Sequence, residues 1–253
     1  MIVIRNSGLA GAAVAACVLA SPAAHADWTG KGEAGLLISR GNADSTSANA
    51  KLDIARESGD WKNSAFLGFL YGKNAAFTTA QRIEAKYQLD RKISDRMFWF
   101  GALRGEQDKF SGFAYQATLA TGIGYKFIDN EATKLTGTFG IGYRRLRVEN
   151  LTKDPATGRI IARDKLDATG DAVATAGLDF SHALTKTTKI VDKLAIESGS
   201  KNTLVVNDIA LQVSMTDALA LSVGYGVHYN TDPPAGAKKS DTLTTINLVY
   251  NIK

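Results

Sequence analysis

From Phe113 to Phe127 the chain alternates: Phe113, Tyr115, Leu119, Ile123, Tyr125 and Phe127 share one parity, and Ala114, Gln116, Thr118, Gly122, Gly124 and Lys126 the other. Successive side chains of a strand point to opposite faces, so this segment has one greasy face and one small or polar face. After Asp129-Asn-Glu-Ala the pattern returns, with Leu135, Phe139, Ile141 and Tyr143 opposite Thr136, Thr138, Gly140, Gly142 and Arg144. The two runs form a long hairpin with no proline inside. Ten residue steps from Tyr115 to Tyr125 make about 33 Å of strand, or roughly 25 Å when tilted by about 40°. That is the height of the apolar band on a membrane barrel; a strand of a soluble sandwich needs only about 5–6 residues.

The same period recurs along the chain. Ala34, Leu36 and Ile38 oppose Lys31, Glu33 and Gly35 in a strand from Trp28 to Ser39; Ala48, Ala50, Leu52 and Ile54 oppose Asn49, Lys51 and Asp53. Trp61 to Tyr71 carries Ala65, Leu67, Phe69 and Tyr71 in phase, and the strand ending at Leu89 sets Ile83, Ala85, Tyr87 and Leu89 against Arg82, Glu84, Lys86 and Gln88. In Met97 to Glu106 both Trp99 and Leu103 and the opposite pair Phe98 and Phe100 are apolar, which leaves the facing open. Later strands run from Leu166 to Phe180, Leu204 to Met215, Leu219 to Tyr229 and Ile246 to Ile252, with Lys189 to Glu197 the weakest of the set. Glu149 to Asp164, holding Asp154-Pro155 and Gly158, reads as the longest polar connection. No helical period appears.

These segments predict an all-β fold: a transmembrane, antiparallel, up-and-down β-barrel of about twelve strands, an even number as bacterial barrels require. Connections at Ser58, Arg91, Asp129, Thr185 and Thr216 are short, and those near Gly41, Lys73, Asp108, Lys153, Gly199 and Pro233 are mostly longer. Short periplasmic turns and longer outer loops are the expected asymmetry. With that orientation Trp28, Trp61, Trp99, Tyr125, Phe127, Phe180 and Tyr250 fall near the inner interface, and Tyr71, Tyr115, Tyr143 and Tyr229 near the outer one, as aromatic girdles.

The first 26 of the 253 residues are excluded from this barrel domain (27–253). Arg5, the apolar run Leu9 to Leu19 and Ala24-His25-Ala26 have the order of a cleaved signal peptide. Val14-Ala15-Ala16-Cys17 is the alternative, a lipidation site. Cleavage removes the one cysteine, so no disulfide framework is expected. The formal net charge is +5, one unit of it Arg5, spread without a dense basic patch, which argues against nucleic acid as a partner. Outer-membrane lipids, lipopolysaccharide and, during insertion, the barrel-assembly machinery are the expected partners, and the location is the outer membrane of a Gram-negative bacterium. The chain ends Tyr250-Asn-Ile-Lys253, where such barrels usually end on an aromatic residue.

Four segments in order carry a resemblance: Gly35-Leu-Leu-Ile-Ser-Arg-Gly-Asn-Ala-Asp-Ser-Thr, Glu106-Gln-Asp-Lys-Phe110, Gly140-Ile-Gly-Tyr-Arg144, and Pro233-Pro-Ala-Gly with Asp241-Thr and Leu248-Val-Tyr250. The chain resembles the YdiY-type salt-induced outer-membrane proteins, a domain-of-unknown-function family, from about Trp28 to Ile252. The resemblance implies an outer-membrane location and brings no established activity, substrate or catalytic residue.

The polar face carries Lys31, Glu33, Lys51, Asp53, Arg82, Glu84, Lys86, Arg104, Glu106, Arg144, Asp171 and Asp208. If the greasy face meets lipid, these charges line the lumen. They read either as a selective pore lining or as an ion-pair network that fills the interior; twelve strands lie between the filled barrels of about eight and the channels of sixteen or more. A closed or constricted barrel serving envelope integrity or salt stress is the first expectation, a narrow porin the alternative. An enzyme is the remote third class. Ser222 and His228 are six residues apart on one strand, roughly 20 Å and far beyond proton-transfer reach, which makes His228 a solvated rim residue. No Gly-x-Ser-x-Gly, His-Glu-x-x-His or phosphate-loop pattern occurs, and no cofactor or metal is expected. Asp44, Asp108 and Asp232 could hold a divalent cation, but read first as solvated loop charge.

Overall fold

The computed structural model describes residues 28–39, 45–74 and 77–252. The expected signal peptide with Cys17, the loop residue Asp44 and the terminal Lys253 lie outside the described residues. Twelve strands follow one another: β1 (Trp28–Ser39), β2 (Ser45–Ser58), β3 (Trp61–Asn74), β4 (Thr78–Lys92), β5 (Met97–Asp108), β6 (Phe113–Asp129), β7 (Thr133–Lys153), β8 (Ile160–Ala183), β9 (Thr188–Gly199), β10 (Thr203–Ser214), β11 (Leu219–Asn230) and β12 (Ser240–Ile252). Each pairs antiparallel with its sequence neighbours, and β1 closes on β12 to complete the barrel. Closure leaves no open sheet edge around the wall.

Register puts residues of like polarity opposite each other. Leu119 pairs with Tyr143, and Tyr143 with Ala172, on the outward face; Thr118 pairs with Arg144, and Arg144 with Asp171, on the inward one. The outward face is apolar at full exposure: Phe139 is 70% exposed, Ile141 69%, and Leu119 64%. The segment expected to be the weakest strand is β9, twelve residues long. Its apolar phase (Ile190, Leu194, Ile196) is interrupted by Asp192, whose carboxylate accepts a hydrogen bond from Asn207 Nδ2 at 2.7 Å, and that interruption blurred the pattern.

Phe98 and Phe100 face inward, because Arg104 and Glu106 of the same phase do so and Trp99 lies outside. They settle over the glycines of the inward faces of β6 and β7: a Cβ at Gly124 would overlap the Phe98 ring, and one at Gly140 would come within 3.0 Å of Phe100. At Gly122 a Cβ would overlap the Phe139 carbonyl oxygen and stand 2.5 Å from Gly140 Cα, backbone atoms that cannot rotate away. Gly122→Ala should therefore cost about 1–3 kcal/mol of stability, the range for overpacking. Gly32→Ala is the control, since a Cβ at Gly32 meets nothing within 4 Å. Urea unfolding of the two variants checks this, and equal midpoints would refute the packing role.

One sequence expectation is corrected. Glu149 to Asp164 is not a loop: β7 and β8 continue as a two-stranded ribbon to Lys153 and from Ile160, beyond the last pairing of β6 with β7 at Phe113 and Val148. Between Glu149 and Lys153 only Leu151 is apolar, buried beside the connection between β11 and β12, so no apolar phase is sustained and the polar sequence hides the strands. Asp154 makes the turn by accepting hydrogen bonds from the backbone N–H groups of Ala156 (3.0 Å) and Thr157 (2.8 Å), and those to Thr157 hold its carboxyl below the usual range. A bulge between Arg147 and Glu149 shifts the phase there, so that Leu146 and Leu151 are both buried although their parity differs.

Candidate functional site

The inward alternation of every strand delivers charge to the lumen, and the lengths of lysine, arginine and glutamate let opposite walls meet. Around the ring β5 and β9 are four strands apart, yet Arg104 Nη1 stands 3.8 Å from Glu197 Oε1. The same guanidinium bonds Glu84 at 2.8 Å and Glu106. Thr118 donates to Glu197 at 2.8 Å, which fixes the far carboxylate. Lys193 on β9 reaches Asp53 on β2 at 2.9 Å, and Lys51 reaches Asp208 on β10 at 3.6 Å. Arg82 binds Asp108 at 2.7 Å and touches His228 Nε2 on β11 at 3.1 Å. The interior is thus crossed by bridges from several directions.

The sequence-selected lumen residues sort into two environments. Arg82, Glu84, Arg104, Glu106 and Arg144 form a dry block on β4, β5 and β7; Arg144 is 1% exposed and bonds Asp171 at 3.4 Å and the Asn202 carbonyl at 3.0 Å. Lys31, Glu33, Lys51, Asp53 and Asp208 line a wetter wall, with Lys31 on Glu33 at 2.8 Å and the Lys193 side chain still 56% exposed. There a cavity of about 90 Å³ is bounded by Lys51, Asp53, Phe66, Lys193, Asp208 and Gln212 among others, room for a few waters. Lys86 faces the lumen without a salt bridge among the described residues and is exposed.

Sequence reasoning missed Lys193, Glu197, Phe98 and Phe100. Counting the period back from Ile196 would have put Lys193 and Glu197 inside. Two further expectations are corrected. Asp108 is not solvated loop charge: it is 6% exposed, paired with Arg82, and accepts the Phe110 N–H at 2.8 Å. His228 is not a solvated rim residue either, because the Arg82 guanidinium holds its ring inside the wall. Asp232 is exposed, and its carbonyl accepts from Asn202 Nδ2 at 3.0 Å. Among the described residues no cluster of three or more metal-ligating side chains occurs.

The long-loop end of the lumen is covered. The connection between β11 and β12 crosses to β7, where Leu151 N–H donates to the Ala235 carbonyl at 3.0 Å. Gly112, between β5 and β6, lies against Pro234 and Ala237 and accepts the Glu149 N–H at 2.8 Å. Arg163 on the ribbon ties the Lys109 carbonyl and the Glu149 carboxylate, both at 2.7 Å. A Cβ at Gly236, whose φ is +81°, would overlap the Leu151 carbonyl, so this close crossing requires glycine. At the short-turn end Phe98 and Phe100 narrow the opening.

The aromatic candidates lie on the outward face. Trp28, Trp61, Trp99, Tyr125, Phe127 and Tyr250 are exposed towards the short-turn end, and Phe180 is half-buried there. The Arg56 and Arg91 guanidiniums lie over the Trp28 and Trp61 rings at 5.7 and 5.5 Å. Tyr229 and Tyr143 are exposed towards the other end, with Tyr71 and Tyr115 half-buried; Tyr143 pairs with Leu119, nearer the middle than Tyr115.

Residues 32–252 match the family model described as "Protein of unknown function, DUF481". Over 232 residues the chain is 25% identical to the protein of Escherichia coli (strain K12) named "Uncharacterized protein YdiY", covering 89% of this chain and 83% of that one. Similar solved structures include the translocator domain of autotransporter NalP from Neisseria meningitidis (14% identity, TM-score 0.48, 89% of this chain and 87% of that one). The NanC porin is another (13% identity, TM-score 0.44, 88% and 97%).

Proposed function

Because the chain belongs to the DUF481 family of proteins of unknown function, we propose its role from the barrel itself: a closed outer-membrane barrel that serves envelope integrity under osmotic or salt stress. The observation that carries this reading is the set of bridges across the lumen, Arg104 to Glu197, Lys193 to Asp53 and Lys51 to Asp208, beneath a covered mouth. An interior tied wall to wall resists deformation and narrows the path open to water. The exposed apolar belt with its aromatic ends supports residence in a bilayer, and the outer membrane of Gram-negative bacteria is the compartment of such barrels. Lipids and lipopolysaccharide of that membrane are the proposed partners, with the barrel-assembly machinery during insertion. No catalytic role is assigned: Ser222 and His228 remain six residues apart on β11, and His228 is engaged by Arg82.

Single-channel recording of the mature, refolded chain in a planar bilayer tests the proposal. A folded, heat-modifiable barrel that stays silent over a wide voltage range is the expected result. Discrete conductance steps in the unmodified chain would sink the closed-barrel reading. They would favour the second one, a narrow porin, for which the wet wall and the half-exposed Lys193 to Asp53 pair speak.

A further inference from the structure

We infer that the outward face of β7, at the mouth end of the apolar belt, binds the phosphate groups of a glycolipid of the lipid A class; this rests on the outer-membrane location proposed above. Tyr143, Arg145 and Arg147 are consecutive outward positions of β7. In register, Arg145 stands between Ala117 of β6 and Gly170 of β8, and Arg147 between Tyr115 and Ala168. Ala117, Gly170 and Ala168 are small and leave open space beside the two guanidiniums, with Tyr115 on the β6 side of Arg147. The Tyr143 phenol leans into that space: a Cβ at Gly170 would overlap its hydroxyl, which therefore lies level with Arg145.

Both arginines lack an anion. Arg145 is exposed, and among the described residues neither forms a salt bridge. Arg147 donates from Nε to the Leu166 carbonyl at 2.9 Å, which orients its plane and leaves the terminal nitrogens free. The outward arginines at the opposite end, Arg56 and Arg91, instead rest on the Trp28 and Trp61 rings. Height argues the same way. Ala117 and Tyr115, level with the two arginines, lie eight and ten steps from Tyr125. At strand rise and a tilt of about 40° those steps put the guanidiniums roughly 20 and 25 Å from the inner girdle, where the apolar band ends. Lipid phosphates lie at that boundary. Two planar guanidiniums with an adjacent hydroxyl suit a phosphate monoester on a sugar, which accepts paired N–H bonds in fork geometry.

The test inserts the mature chain into phosphatidylethanolamine bilayers containing either diphosphoryl lipid A or phosphatidylglycerol, extracts it into detergent, and counts retained lipid by native mass spectrometry. The unmodified chain should retain lipid A and not phosphatidylglycerol. R145A/R147A should retain about tenfold less lipid A, the loss expected for charge-assisted bonds. R145K/R147K should fall between them. Equal retention by R145A/R147A, no retention by the unmodified chain, or equal retention of phosphatidylglycerol would overturn the site. Heat-modifiable mobility reports insertion separately. A barrel that inserts and binds no lipid A overturns this site alone, whereas a chain that cannot insert overturns the outer-membrane reading with it.

Discussion

Replacing Arg104 with leucine is expected to lower the stability of the barrel by about 3–5 kcal/mol, the cost of removing one partner from a buried ion network. The guanidinium stands among three carboxylates, those of Glu84, Glu106 and Glu197, in a block where Glu106 is 6% exposed. Leucine fills part of the volume and leaves three like charges facing each other. Arg104→Lys keeps the charge but not the fork that reaches two strands and the opposite wall, so an intermediate loss is expected. Combining Arg104→Leu with Glu197→Gln should recover part of the loss, because one repelling charge is gone. Urea unfolding in lipid-matched micelles measures all three. A loss under about 1 kcal/mol for Arg104→Leu would mean that the network is solvated like a surface pair, and the wall-to-wall tie would then carry no weight.

The second large effect separates lipid from water outside the wall. Ile141→Arg places a charge near the middle of the belt, level with Thr121 between Tyr115 and Tyr125, at a side chain that is 69% exposed. In water a substitution at so exposed a site changes stability by about 0.5 kcal/mol or less. In a bilayer an arginine at the midplane of a barrel's lipid face costs about 2–4 kcal/mol. Ile161→Arg, at a 61% exposed position on the ribbon beyond the rim, should be close to neutral in the same bilayer. Reversible unfolding of both variants from phospholipid vesicles gives the comparison. Equal and small effects would contradict residence of the belt in lipid.

Facing was legible wherever one phase was uniformly apolar. Leu119, Ile123, Phe139 and Ile141 lie outside and Thr118, Gly122 and Arg144 inside, as their alternation demands. It failed to be legible where both phases were apolar, as at Phe98 to Phe100, and where a polar residue entered the lipid-facing phase, as at Asp192. The ribbon from Glu149 to Asp164 was hidden for the opposite reason: it stands beyond the belt, and what it buries, Glu149 and Leu151, makes no apolar phase.

The sequence by itself determined the strand number, the two faces, the aromatic ends of the belt and the charge content of the lumen. All of these follow from a period of two, which is a local property of an extended chain. Only the tertiary structure decided which charges meet. Arg104 and Glu197 lie four strands apart, and Lys193 and Asp53 five by way of the β1–β12 pairing; they become partners because the sheet curls and closes, which carries β5 and β2 round to face β9. The covered mouth has the same origin. Pro234 and Ala235 reach Gly112 and Leu151 only once closure sets their strands across the lumen from one another, since contact there depends on the shear and diameter of the closed ring and not on any neighbour in sequence.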